Sequence, residues 1–222
     1  MSKNALSNEV YHFILDQIFS CQLKPGEKIA ETTIAEQFGI SRTPIREALR
    51  LLSNDGLIDL VPNRYAAVAQ FTDQQIQEIG TIRISLDVLA LRLAMLNGSR
   101  REMLELRDIA QNCFAAYQNQ DGRLRRRFDA DFHTKLSQIS GNELLCKMQN
   151  ELYLRIQFIL LHQSQPEEEE EKHLLQHFEI VDAMLQGDQQ KALSVILDHL
   201  LVFYHLEDTY TKDFFLLSPA LK

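Results

Sequence analysis

No run of about 18 apolar residues occurs anywhere in this 222-residue chain, so no membrane-spanning helix is expected. The opening stretch MSKNALSNEVYHFI lacks an apolar signal core followed by a small-residue cleavage site. Secretion is therefore not expected, and a cytoplasmic location is. Cysteine is scarce: Cys21, Cys113 and Cys146 are odd in number and widely spaced, which fits reduced structural thiols better than a disulfide framework. Positive charge is in the minority, with 23 Lys and Arg against 31 Asp and Glu and a net charge of −8. That balance argues against nucleic-acid binding over the whole surface and leaves room for one local contact face. Neither G-x-S-x-G nor H-E-x-x-H occurs, so the sequence offers no convincing hydrolase motif. No internal repeat is found. With 45% apolar residues, however, the chain has enough material for a substantial core, in one large domain or two small ones.

Against this background the stretch FGISRTPIREALRLL, Phe38 to Leu52, is unusual. It sets Arg42, Arg46 and Arg50 four residues apart, so on a helix they share one face. Residues 1–72 carry seven Lys and Arg and eight Asp and Glu, a net −1, which leaves −7 for the other 150 residues. The acidic excess thus lies away from the arginine helix. The spacing of Val10, Ile14 and Ile18 predicts a first helix from about Asn8 to Cys21, broken by Pro25 and Gly26. A short helix from about Glu31 to Phe38 is stopped by Gly39. Ser41 suits the N-cap of the next helix, and Pro44 lies in its first turn, where a missing N–H is harmless. That helix buries Ile45, Leu49 and Leu52. After Gly56, LIDLV and AAVAQF read as two short strands joined by PNRY in a hairpin.

From Thr72 onward the pattern is helical throughout. Thr72 caps a helix from Asp73 to about Leu96, and further helices are expected near 100–119, 122–139, 143–163, 168–186 and 189–209, separated by NGS, NQDG, SGN, SQP and GD. The acidic run Glu167 to Glu171 reads as a solvated helix start whose carboxylates suit the positive helix end.

Two helices joined by a tight glycine-containing turn, the second arginine-rich, form a helix-turn-helix, and a following hairpin makes it winged. The chemistry fits DNA. The N-terminal part of a recognition helix enters the major groove. Arg42 and Arg46 can donate to guanine O6 and N7 or grip phosphates. Ser41 and Thr43 can bond phosphates or base edges, Arg50 is better placed for phosphate, and Glu47 can hold an arginine in position. An amphipathic helix with merely solvated arginines would show the same periodicity.

The segment GEKIAETTIAEQFGISRTPIREALRLLSNDGLI resembles the winged-helix domain of GntR-family bacterial transcription regulators, whose signature is SRTPIREAL followed by L..DGLI. The resemblance implies that Arg42, Thr43 and Arg46 contact operator DNA. These regulators usually carry glycine at the wing tip, in a pattern like P-N-R-G, whereas Tyr65 follows Arg64 here. Tyrosine takes a positive φ less readily than glycine, while Arg64 can still reach a phosphate.

The remaining 150 residues resemble the FCD effector-binding domain of the FadR-type subfamily. The matching segments are RISLD (Arg83 to Asp87), FDADFHTKLSQISGN (Phe128 to Asn142) and QHFEIVDAMLQGDQQKALSVILDHL (Gln176 to Leu200). Asp129 and His133 share a helix face, and His177 and His199 lie on two later helices; a bundle core can gather such groups. One carboxylate and three imidazoles suit zinc, nickel or manganese. The resemblance implies a divalent-metal site made of Asp129, His133, His177 and His199. It further implies that Arg83 pairs with a small carboxylate effector and that Asn142 lines its pocket. His173, four residues before His177, is a rival ligand expected to face solvent, and His12, His162 and His205 are expected to be surface or packing residues. Phe203, Tyr204, Phe214 and Phe215 should pack on the bundle or on a partner chain.

The sequence therefore predicts a mainly α protein: a winged helix-turn-helix over 1–72 and an all-α antiparallel bundle over 73–222 that binds effector and metal and dimerises. As a function it predicts a ligand-responsive bacterial regulator, a repressor modulated by a carboxylate, acting as a homodimer on palindromic double-stranded DNA. The alternatives are a metal-dependent hydrolase using the same Asp/His set and a scaffold with a degenerate winged helix.

Overall fold

The computed structural model describes residues 3–61, 64–163 and 166–216. It divides into two compact units, residues 1–71 and residues 72–222.

In the first unit, α1 (Lys3–Phe19), α2 (Glu31–Phe38) and α3 (Arg42–Asn54) accompany strands β1 (Lys28–Ile29), β2 (Ile58–Val61) and β3 (Tyr65–Val68). Helix α1 begins earlier than the periodicity suggests. It lays Val10, Ile14 and Ile18, all fully buried, against α3, whose Ile45, Ala48, Leu49 and Leu52 fill the same core. The Tyr11 hydroxyl ties the two helices by donating to Asp55 Oδ2 at 2.7 Å. The turn after α2 depends on Gly39, which sits at φ 62 and donates to Glu36 O, while Ile40 N–H reaches back to Ala35 O. That double bond is the left-handed helix stop that favours glycine. Ser41 stands at the N-cap of α3 as expected, but its hydroxyl makes no cap hydrogen bond.

The wing holds three strands rather than a hairpin alone. β3 is central, paired antiparallel with β2 (Ile58 opposite Val68, Val61 opposite Tyr65) and with β1 (Lys28 opposite Ala67). A two-residue strand is too short to register as alternation, which is why β1 was not expected. Of the expected PNRY turn, Pro62 and Asn63 lie outside the described residues. Tyr65 opens β3 with its ring under Lys28 Nζ, 4.5 Å from the ring centre.

The second unit contains α4 (Asp73–Asn97), α5 (Arg100–Gln118), α6 (Gly122–Ile139), α7 (Glu143–His162), α8 (Glu167–Gln186), α9 (Gln189–Phe203) and the single-turn α10 (Lys212–Phe215). Caps fix most of the starts. Thr72 with Gln75 and Ser99 with Glu102 form reciprocal capping boxes, and Asp121, Asn142 and Asp188 each accept an N–H from the first turn of α6, α7 and α9. Ser164 and Gln165 of the expected SQP break lie outside the described residues. Two expectations need correction. The last long helix ends at Phe203 rather than near 209, because Tyr204 leaves the helix and His205 takes φ 53. The acidic start of α8 is not wholly solvated, since Glu170 pairs with Arg125 Nε at 2.9 Å.

Helix α4 packs on α6, α7 and α9, and α5 packs on α6 and α8. Ile84, Leu91, Leu106, Phe132, Leu136, Ile180, Ile196 and Leu200 are fully buried between them. Gly80 permits the close approach of the α9 end to α4, because a Cβ there would overlap the Tyr204 ring. Among the described residues no helix is long and apolar enough to cross a membrane.

Candidate DNA-binding face and metal centre

Helix α3 is strongly two-sided. Pro44, Ile45, Ala48, Leu49 and Leu52 are buried, while Ser41, Arg42, Thr43, Arg46 and Arg50 are exposed. Arg46 and Arg50 share a cleft of about 420 Å³ with Arg64 and Tyr65 from the wing, so three of the predicted cations gather at one opening. Each helix cation is lightly held. Arg46 Nε meets Glu31 Oε2 at 3.1 Å, and Arg50 Nη1 meets Glu47 Oε1 at 3.4 Å. Exposed pairs of this kind contribute only about 0–1 kcal/mol, so a phosphate or base edge can displace the carboxylate. The Glu47 contact was foreseen; the Glu31 contact, which crosses from α2, was not.

In the second unit, α6 brings Asp129 and His133 to its buried face one turn apart, α8 adds His177 and α9 adds His199. One donor atom from each of these four buried residues lies within 4.8 Å of every other. Nε2 of His133 and Nε2 of His199 are 3.3 Å apart, and His177 Nε2 is 3.7 Å from Asp129 Oδ1. Two atoms bound to one ion at about 2.1 Å stand roughly 3.0–3.4 Å apart, so the His133 and His199 pair already has that spacing and the wider Asp129 and His177 contacts would close by a few tenths of an ångström or more around an ion. The ring orientations agree. His133 Nδ1 lies 3.0 Å from Asp87 Oδ2, off the angle of a formed hydrogen bond, and His199 Nδ1 lies 3.2 Å from the His173 carbonyl. Both acceptors call for a proton on Nδ1, which turns a lone pair at Nε2 toward the centre. Phe132 stacks on His177 at 4.1 Å and supplies an apolar wall.

Both Asp129 oxygens and both His177 ring nitrogens are buried without a hydrogen-bond partner. Such groups cost about 1–3 kcal/mol each when left unmet, and a cation between Asp129 and His177 would satisfy a carboxylate oxygen and one ring nitrogen together. Burial pushes the imidazoles of His177 and His199 well below their ordinary value, and that of His173 below it, so these rings stay neutral and able to ligate. Burial alone would raise the Asp129 carboxyl, but the His173 Nε2 beside it, 3.5 Å from Oδ1, leads the influences that hold it far below the usual range.

Arg83 is buried beside the cluster. Nη1 donates to the Tyr204 hydroxyl at 2.9 Å, Nε lies 3.5 Å from Asp87 Oδ2, and Nη2 lies 4.0 Å from Asp129 Oδ2. Nε and Nη2 lack hydrogen-bond partners. Asn142 is not drawn into the cluster; its Oδ1 accepts Leu145 N–H as the cap of α7. His173 is the main correction: it is buried rather than facing solvent, because α8 points residues one turn apart the same way and α9 covers that face. His12, His162 and His205 are exposed. Sequence reasoning assigned no role to Asp87 or Gln149, and to Tyr204 only a packing role, which its full burial bears out. Asp87, which accepts from Gln149 Nε2 at 2.6 Å, was signalled by its one-turn spacing from Arg83; the other two had no local signal.

Residues 6–68 match the family model "Bacterial regulatory proteins, gntR family", and residues 78–201, over half of the chain, match the FCD domain. The chain is 30% identical over 193 residues to the HTH-type transcriptional regulator YdhC of Bacillus subtilis, covering 86% of each. It is 27% identical over 205 residues to a probable D-xylose utilization operon transcriptional repressor of Paenarthrobacter nicotinovorans, covering 91% of this chain and 89% of that one. A crystal structure of a putative GntR regulator from Rhodococcus shares the fold with TM-score 0.76 at 19% identity, over 92% of this chain and 99% of the other. The exposed arginine face on a winged helix and the buried Asp/His cluster in a helical unit thus fall on two matched domains, and the chain belongs to the GntR family of bacterial transcription regulators, in its FCD-domain group, and is not an enzyme.

Proposed function

We propose that this regulator is a homodimeric, cytoplasmic repressor whose hold on a palindromic operator is modulated by a small carboxylate bound at a metal in the FCD unit. The observation that carries the DNA half is α3 itself, which buries Ile45, Leu49 and Leu52 and leaves Arg42, Thr43, Arg46 and Arg50 exposed beside Arg64 of the wing. The short N-terminal turn of α3 supplies groups for base edges, and Arg50 and Arg64 suit the flanking phosphates. The repressor reading is supported by the relative from Paenarthrobacter, and two-fold symmetry would match two half-sites.

Charge supports the effector half. With every imidazole in the deprotonated form that metal ligation requires, Arg83, Asp87 and Asp129 leave one formal negative charge in a fully buried site. Zinc, nickel or manganese held by Asp129, His133, His177 and His199 would reverse that sign and supply a Lewis-acidic binding position. A carboxylate would then restore neutrality, with Arg83 Nη2 at hand as donor.

Dimerisation is supported by Ile82, Leu89 and Leu96 on α4. They recur every seven residues and are 53%, 44% and 79% exposed. A stripe of large apolar side chains at that period is a seam for a second helix.

A gel-shift and anisotropy titration on the promoter fragment next to its own gene tests the reading. A salt-dependent, sequence-selective complex weakened or strengthened by an added small acid is expected. No preference for any fragment of a genomic pool at low salt would refute it. For the dimer, Leu89→Glu should yield monomers in sedimentation.

A further inference from the structure

His173 touches two of the four cluster residues without being one of them. Its Nε2 lies 3.5 Å from Asp129 Oδ1, closer than His177 Nε2 at 3.7 Å. Its ring lies flat on His199, with centres 3.6 Å apart and planes 18° apart. Its other side meets Phe203 and lines a cavity of about 190 Å³ with Arg125, Arg126 and Gln163. Neither Asp129 nor the three clustered imidazoles line that cavity, so His173 stands between it and the cluster.

Rings bound to one ion through a nitrogen radiate from it and their centres diverge. His133 and His199 do this: their Nε2 atoms are 3.3 Å apart and their ring centres 5.3 Å apart. His173 and His199 do the reverse, lying one over the other. That arrangement separates His173 from the coordinating set and makes it a wall against the His199 ring, with Nε2 beside the Asp129 carboxylate.

We propose that His173 is a positioning residue of the metal centre, holding Asp129 through Nε2 and His199 through its ring face. The proposal rests on the reading that Asp129, His133, His177 and His199 bind a divalent ion. Outer partners of metal ligands change affinity about 10–100-fold when removed. His173→Phe keeps a flat ring over His199 and deletes the polar contact to Asp129. His173→Gln keeps a donor for that carboxylate.

The experiment titrates full-length protein with Co²⁺ against a chromophoric chelator and records the visible bands of the bound ion. His173→Phe should weaken binding about 10–100-fold, with bands at saturation like those of the wild type. His173→Gln should recover most of the lost affinity. His173→Leu, which also lacks a donor, replaces the Phe variant if that variant does not fold. Unchanged affinity in the donor-free variants would overturn the proposal. Altered bands would also overturn it, by making His173 a direct ligand. Failure of the wild type to bind Co²⁺, Zn²⁺, Ni²⁺ or Mn²⁺ would remove the metal reading itself, a result separable from either.

Discussion

Nε2 of His133 and Nε2 of His199 face each other at 3.3 Å, each ring with its Nδ1 within 3.2 Å of an oxygen. Two lone pairs at that distance repel unless a proton or a cation lies between them, and burial disfavours the proton on His199. Metal should therefore stabilise the fold. At about one hundred times its dissociation constant, Zn²⁺ should add about 2.7 kcal/mol and raise the melting temperature, and a chelator should reverse the gain. His133→Ala with His177→Ala should abolish it. Metal content by elemental analysis that survives the double substitution would refute this ligand set.

Among the described residues, Arg46 is held by an exposed pair with Glu31. Arg46→Ala should cost about 1–3 kcal/mol on the operator if the guanidinium reads guanine. The same loss on random DNA would mark it as a phosphate contact. Thermal denaturation of the free protein should hardly change, since an exposed pair contributes about 0–1 kcal/mol.

Gly80 gives a prediction with two opposed terms. In a helix interior, alanine is favoured over glycine by about 0.8–1 kcal/mol. Here the added methyl would stand 2.7 Å from Tyr204 Cβ and also overlap the ring. Overpacking of that kind costs about 1–3 kcal/mol and should win. Gly80→Ala should lower the urea midpoint, and with Tyr204 displaced it should also weaken effector binding through Arg83. A higher midpoint would mean that the α9 end yields freely.

Acid should destabilise the metal-free protein. Burial holds the folded-state values of His177 and His199 well below that of a free imidazole. The unfolded chain takes up protons near about pH 6.5 while the folded chain resists. Below that pH the unfolded state binds more protons, so their contribution is fully present above about pH 6.5 and is lost as pH falls through the folded values. Urea midpoints should be level from about pH 8 to 7 and drop from about pH 6.5 to 5. A midpoint that rises on acidification would contradict the neutral, buried state of these rings.

Much of this was legible because it is local. Four-residue arginine spacing, Gly39 after the amphipathic octet Glu31–Phe38 and Thr72 before a long periodic stretch each act within a few residues of themselves. The Asp129 to His133 spacing placed both on one face for the same reason. What escaped depends on other helices. His173 reads as a solvent-facing neighbour of His177 until α9 is laid over it. Gln149 and Tyr204 acquire roles only because α7 and the α9 end reach Asp87 and Arg83. The strand Lys28–Ile29 exists only as the partner of Ala66 and Ala67.

Helix α4 carries Arg83 and Asp87 on its inner side and Ile82, Leu89 and Leu96 on its outer side. A rod of hydrogen-bonded peptides cannot twist one flank and leave the opposite flank at rest. On the proposed reading, an effector drawn to the Arg83 guanidinium and a partner seated on the apolar ridge would engage opposite flanks of one helix, so a roll of that helix about its axis would be felt at both.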